Sequence, residues 1–279
     1  MQRITRPFLV AMTLLFPVFF PDAQVRAQVQ DSSGIVAIEL LTGWRKESGT
    51  HMAALRVTLA PGWKTYWRAG GQTGLPPKFN WQGSRNLGEV RYRWPRPEIL
   101  DAVEGQIIGF QNEMVLPIEI TPQTDGADIV ARLELEIGVC KDICMLVTSR
   151  LAADLNTREQ ADRFLIELAL ADPVISAEQA GLRSVGCVLT PIRDGVRIEA
   201  EFILPTHSTR PEAVVLETAQ TDGWLSPVTT SRQGDRLRAE ASLVSLSGEP
   251  LAVDLDELRF TLIDQDRAID IRGCPLQRS

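Results

Sequence analysis

The chain has 279 residues, 29 Lys+Arg against 36 Asp+Glu, and a formal net charge of −7. That acidic balance excludes nucleic acid and anionic membrane surfaces as natural partners. At this length two domains of roughly 100 to 150 residues can each bury a core, so the four cysteines are not needed merely to make the chain fold.

At the N-terminus Arg3 and Arg6 precede an apolar run over 8–20, followed by the small-residue stretch Val25-Arg26-Ala27. This is the pattern of a secretory signal peptide over 1–27, and Pro17 breaks a run already too short to span a bilayer. Cleavage after Ala27 removes three arginines and one aspartate, which takes the net charge from −7 to −9. No later segment approaches the roughly 18 apolar residues of a spanning helix, so the mature chain is expected to be exported, soluble and not membrane-spanning.

Strand-type runs follow at 35–41, 52–59, 114–120, 132–139 and 144–151, separated by Gly, Pro and Asn clusters. One segment reads as a helix. Thr157 and Gln160 form a capping box, Ala161, Phe164, Leu165 and Leu168 keep helical spacing, and Asp172-Pro173 stops it, giving a linker helix within 156–172. Strands resume with Asp194-Gly195 as a hairpin turn before 196–204, then at 213–217, 237–243, 258–263 and 268–271. The predicted fold is all-β: two immunoglobulin-like β-sandwich domains, at 28–155 and 173–279, joined by the short helix.

Four cysteines allow three pairings, and joining neighbours gives Cys140 with Cys144 and Cys187 with Cys274. Strict alternation over 132–140 puts Leu133, Leu135, Ile137 and Val139 on one face and Glu134, Glu136, Gly138 and Cys140 on the other. Cys144 shares its parity with Thr148 and Arg150, so both cysteines are expected on the wetter face. Residues four apart on one strand are about 13 Å apart, whereas a disulfide needs Cα atoms within roughly 7 Å, so Lys141-Asp142-Ile143 is expected to turn. The five-residue ring removes only about 2 kcal/mol of unfolded-state entropy, against about 4–5 kcal/mol for a Cys187–Cys274 ring. The long ring suits a structural clamp between the first and last strands of one domain. The short one is a poor staple, and a tight bridge on an exposed turn is of the more easily reduced kind. Lys141 favours a thiolate there while Asp142, Glu134 and Glu136 oppose it, and spacing alone leaves a redox pair and a static bridge both open.

The run Gly138-Val139-Cys140-Lys141-Asp142-Ile143-Cys144 resembles the periplasmic N-terminal domain of the DsbD family of thiol:disulfide interchange proteins, including its ScsB-type members. Three more segments match in order and spacing: Pro61-Gly62-Trp63-Lys64-Thr65-Tyr66-Trp67-Arg68 running into Gly74-Leu75-Pro76-Pro77, then Trp94-Pro95-Arg96-Pro97-Glu98, then Gly109-Phe110 through Val115-Leu116-Pro117. Residues 258–264 and 267–270 resemble, less closely, the further β domain of longer members. The resemblance implies a periplasmic domain without cofactor, in which Cys140 and Cys144 alternate between dithiol and disulfide. It further implies electrons arriving from a membrane thiol carrier of the DsbD/CcdA type and leaving to periplasmic thioredoxin-fold proteins. Val103 and Glu104, within 101–106, stand where the family's shielding loop carries aromatic residues. Since the sequence carries neither the membrane domain nor the thioredoxin-like domain of full-length members, the expected donor is a separate protein.

Two other readings use the same cysteines. Cys140, Cys144 and Met145 supply the soft sulfur ligands that suit Cu(I), and a static disulfide suits a non-enzymatic adapter. The tryptophans of 61–68 are expected to fold onto the core, and Arg68, Arg91, Arg93 and Arg96 to form a locally basic patch that reads as a solvated face. His51 and His207 lie too far apart in sequence to support a hydrolase, and Gly70-Gly71-Gln72-Thr73-Gly74 lacks the Lys-Ser/Thr ending of a phosphate loop and reads as a turn.

Overall fold

A computed structural model describes residues 29–276 except 33, 72–73, 103–104, 156–161, 207–211, 220–222 and 250. The expected signal peptide, the Thr157/Gln160 capping box, Val103, Glu104 and His207 lie outside the described residues. The first part of the chain runs β1 (Val29–Ser32), β2 (Val36–Arg45), β3 (His51–Leu59), β4 (Lys64–Gly71), β5 (Lys78–Asn80), β6 (Leu87–Tyr92), β7 (Glu98–Ala102), β8 (Gly105–Gln111), β9 (Glu113–Pro122), β10 (Val130–Cys140) and β11 (Cys144–Asp154). These pair as β1-β2-β3-β9-β6 and as β11-β10-β4-β8-β7, with β5 added to β10. Helix α1 (Arg163–Ala171) leads to β12 (Ile175–Ser176), β13 (Ser184–Ile192), β14 (Gly195–Ile203), β15 (Ala213–Glu217), β16 (Gly223–Leu225), β17 (Thr229–Gln233), β18 (Arg236–Ser245), β19 (Arg259–Ile263) and β20 (Ala268–Arg272). Their sheets are β12-β20-β19-β15 and β13-β14-β18-β16, with β17 added to β18. The fold is all-β: two immunoglobulin-like sandwiches joined by a short helix.

Period-two alternation builds both cores. Leu133, Leu135, Ile137 and Val139 of β10 meet Leu55 and Val57 of β3 and Leu116 and Ile118 of β9, and Val215, Ile263 and Ala268 from the second sandwich join this first core. The second core gathers Phe202, Leu216, Phe260 and Ile271 around Cys187 and Cys274. These two cysteines are fully buried and disulfide-bonded, with Cα atoms 5.5 Å apart. The bond ties β13 to the segment after β20, where the Cys187 amide also donates to the Pro275 carbonyl at 2.9 Å.

The helix begins at Arg163, later than the capping box at Thr157, and it docks on the outer face of the first sheet, where Ile166 packs against Leu41, Met52 and Ala54. A bulge in β2 between Leu41 and Trp44 makes room for it. Gly43 occupies that bulge at φ +60°, and a Cβ there would lie 1.9 Å from the Met52 carbonyl oxygen and 3.2 Å from Ile166 Cδ1.

The expected basic patch does not form, because each of its arginines is paired. Arg91 bonds Glu89, Arg93 bonds Glu119, and Arg96 bonds Asp172 while donating to the Gln265 carbonyl. Arg68 is partly buried and reaches the second sandwich. Its Nη2 donates to Glu217 Oε2 at 2.8 Å and Thr261 Oγ1 at 2.9 Å, and its guanidinium carbon lies 3.8 Å from the Trp67 ring centroid.

His51 of β3 is fully buried, with Nε2 2.6 Å from the Thr42 carbonyl oxygen and no partner for Nδ1. Burial pushes its pKa below the ordinary 6.5, the Thr42 bond opposes that shift, and the charge of Arg45 adds to it. The unfolded chain therefore takes up this proton near 6.5 and the folded protein at lower pH. Stability is full above that value and declines as pH falls through and below it, by up to about 1.4 kcal/mol per pH unit. Denaturant unfolding between about pH 7.5 and 5.5 should show this slope, and His51→Gln should flatten it.

Candidate redox site

Strands β10 and β11 pair without a slip from Val130 opposite Asp154 to Cys140 opposite Cys144. Lys141, Asp142 and Ile143 form the expected turn, closed by the Lys141 amide donating to the Ile143 carbonyl at 3.1 Å. The two cysteines are thus the last ladder pair of a hairpin, with Cα atoms 4.1 Å apart and their sulfurs bonded at 2.11 Å.

Parity places Cys140 on the face away from the core, but that face is not wet, so the expectation that both cysteines are exposed is corrected. Cys140 is only 6% exposed, whereas Cys144 is exposed beside Ile143 and Leu146. Tyr66 of β4, Leu100 of β7 and Ile107 of β8 form a small apolar cluster with Cys140 on the outer surface of the second sheet. The segment before β5 closes over its edge at Gly138, where a Cβ would lie 2.6 Å from Leu75 Cβ and 3.0 Å from both the Leu75 carbonyl oxygen and Tyr66 Cδ2. Glycine is needed there because the covering segment touches the strand itself.

The Tyr66 hydroxyl lies 2.8 Å from Cys140 Sγ and 3.3 Å from Cys144 Sγ. Burial pushes the phenol pKa up, so it stays protonated and donates its hydrogen to sulfur. Beside it the Thr65 hydroxyl donates to the Gly138 carbonyl at 2.9 Å. Lys64, the ladder partner of Cys140, donates from Nζ to the Asp101 carbonyl. That bond ties the β7–β8 hairpin, where Asp101 faces Gln106, to the end of β4 beside the cysteine pair.

The motif segments of the sequence meet in space near this site. Trp67, Trp94 and Phe110 pack together, with ring centroids 6.4 Å apart for the first two and 6.5 Å for the last two. Phe79 and Tyr92 extend the cluster at 4.4 Å. Trp67 is fully buried and Trp63 packs on the same core, as expected of the tryptophans of 61–68. Met145 packs against that core too, on the side of β11 opposite to Cys144, so its thioether does not converge with the two sulfurs.

Residues 37–156 match the family described as thiol:disulfide interchange protein DsbD, N-terminal. The match spans the first sandwich, from β2 to just past β11. The N-terminal periplasmic domain of ScsB from Proteus mirabilis superposes with a TM-score of 0.71 at 21% identity, covering 92% of this chain and all of that one, which shows the shared fold across both sandwiches. The DsbD N-terminal domain of Neisseria meningitidis, in its reduced form, aligns at 12% identity over 45% of this chain and 88% of that one, with a TM-score of 0.29. No curated protein sequence matches the chain.

Within the matched segment Tyr66, Leu75 and Gly138 are site residues that the sequence reading did not single out. All three lie inside the motif segments, but only pairing across β4, β5 and β10 shows that they surround sulfur.

Two outcomes follow. Under limiting dithiothreitol, alkylation and mass spectrometry should find Cys140 and Cys144 labelled well before the fully buried Cys187 and Cys274. Gly138→Ala should cost about 1–3 kcal/mol by forcing the Leu75 segment off the strand, and should speed alkylation of Cys140 in the reduced protein.

Proposed function

We propose that this protein exchanges electrons through Cys140 and Cys144, receiving them from a membrane thiol carrier and passing them to periplasmic thioredoxin-fold proteins. The observation that carries this reading is the asymmetry of the pair: one exposed sulfur at the end of a hairpin, bonded to one buried sulfur that accepts a hydrogen bond. The family to which residues 37–156 belong is one of thiol–disulfide interchange.

The roles follow from access. Recharging starts when a carrier thiolate attacks Cys144 Sγ in line with the Cys140–Cys144 bond. That bond breaks, a mixed disulfide forms on Cys144, and Cys140 leaves as a thiolate to which the Tyr66 hydroxyl donates, a charge-assisted bond stronger than the one made to a disulfide sulfur. The carrier's second thiolate then attacks its own sulfur in the mixed disulfide, which frees Cys144 and leaves the carrier oxidised. In delivery the Cys144 thiolate attacks a partner disulfide, one partner sulfur leaves, and Cys140 then attacks Cys144 Sγ. The partner departs as a dithiol, two electrons and two protons richer, and the Cys140–Cys144 bond is restored.

The setting belongs to the same proposal. The N-terminal run over 1–27 acts as an export signal, and the matched ScsB structure is that of a periplasmic domain. Among the described residues no helix is long and apolar enough to cross a membrane.

The test is trapping in a periplasm. Cys140→Ser should accumulate mixed disulfides with partner proteins through Cys144, resolved by reductant on a gel, and Cys144→Ser should accumulate few or none. Absence of adducts with both variants would sink the exchange reading; adducts with Cys144→Ser alone would reverse the roles.

A further inference from the structure

The mechanism leaves unused a partly buried charge that lies two residues from the tyrosine at the sulfurs. The tyrosine is Tyr66 and the charge Arg68, both on β4. Around Tyr66 the strand is anchored by its own sheet: Lys64 and Thr65 pair with Cys140 and Val139 of β10, and Lys64, Thr65 and Tyr66 pair with Gln111, Phe110 and Gly109 of β8. Beyond Tyr66 that support lapses. The described pairing with β10 stops at Thr65, and the register with β8 breaks between Tyr66 and Gly71.

In that stretch the second sandwich takes over. Arg68 Nε lies 3.2 Å from each Glu217 carboxylate oxygen, and Nη2 reaches Glu217 Oε2 at 2.8 Å, Thr261 Oγ1 at 2.9 Å and Asp270 Oδ1 at 3.6 Å. Those partners stand on β15, β19 and β20, and the arginine side chain is 12% exposed. A two-pronged guanidinium–carboxylate contact fixes direction as well as distance. The face of the guanidinium rests on Trp67, which is locked in the first core.

We infer that Arg68 is a positioning residue through which the second sandwich holds the Tyr66 hydroxyl against Cys140 and so sets the poise of the redox pair. The inference rests on the exchange reading above. A donor held at 2.8 Å favours the Cys140 thiolate over the disulfide, so it raises the share of the reduced form and lowers the thiol pKa. Loosening Arg68 lets the hydroxyl drift and moves both quantities back. The second sandwich thus acts on the chemistry without touching the sulfurs.

The experiment equilibrates the intact protein with glutathione and dithiothreitol buffers, in which two thiols convert the protein disulfide to a dithiol and become one disulfide themselves. Tyr66→Phe should shift the equilibrium about tenfold toward the protein disulfide, which is about 30 mV for a two-electron couple. Arg68→Lys and Glu217→Gln should each shift it about three- to fivefold the same way, with the Cys140 alkylation profile moving to higher pH. Adding Glu217→Gln to Tyr66→Phe should change nothing further, because the only route of influence is gone. Should Arg68→Lys fail to fold, Glu217→Gln decides, since it keeps the shape of the side chain. A folded Glu217→Gln with an equilibrium within twofold of wild type, or an equal shift in the Tyr66→Phe background, overturns the inference alone. A wild-type pair that stays oxidised below about −300 mV overturns the exchange reading and this inference together.

Discussion

The antiparallel ladder between β10 and β11 is the constraint on which the site depends. Because the strands pair without a slip from Val130 and Asp154 to the final residues, Cys140 and Cys144 are delivered opposite each other and the bond between them closes across the ladder's end. Sliding the register by one residue would send one sulfur to the core side and the other to solvent. Everything else is arranged around that end. β4 supplies a hydroxyl donor to both sulfurs, and Gly138 permits the segment with Leu75 to lie against the strand.

The second dependency runs through β4, which carries a site residue, a core residue and an inter-sandwich residue in succession: Tyr66, Trp67 and Arg68. Tyr66 joins Cys140 outside the sheet and Trp67 joins the first core, while Arg68 lies over the Trp67 ring and reaches Glu217 of the second sandwich. From the β15–β19–β20 sheet Val215, Ile263 and Ala268 join that same core. The two sandwiches are therefore physically continuous at the sheet that carries the disulfide.

Much of this was legible beforehand. The all-β class, the strand runs and the turn at Lys141-Asp142-Ile143 follow from short-range periodicity and covalent geometry, which a sequence carries directly. Parity sorted the residues of β10 onto their two faces correctly, yet it misjudged the burial of Cys140, since alternation says which face a residue occupies and not what lies over it. The covering residues come from β4, β7 and β8, far away along the chain. The same blindness made Arg68 look like part of a basic patch, because its carboxylate partner is 149 residues away. Tyr66 and Leu75 were within recognised motif segments, but a motif reports that residues recur together and not which atom faces which.

The placement of the two disulfides separates two kinds of event. Cys187–Cys274 is a rivet: it spans a long loop inside a core, and opening it would release the end of the chain from the sandwich it closes. Cys140–Cys144 is a latch at the tip of a ladder, so opening it frees a three-residue turn and leaves the strands paired behind it. The bond at the tip can therefore open and close without the sandwich passing through a partly unfolded form.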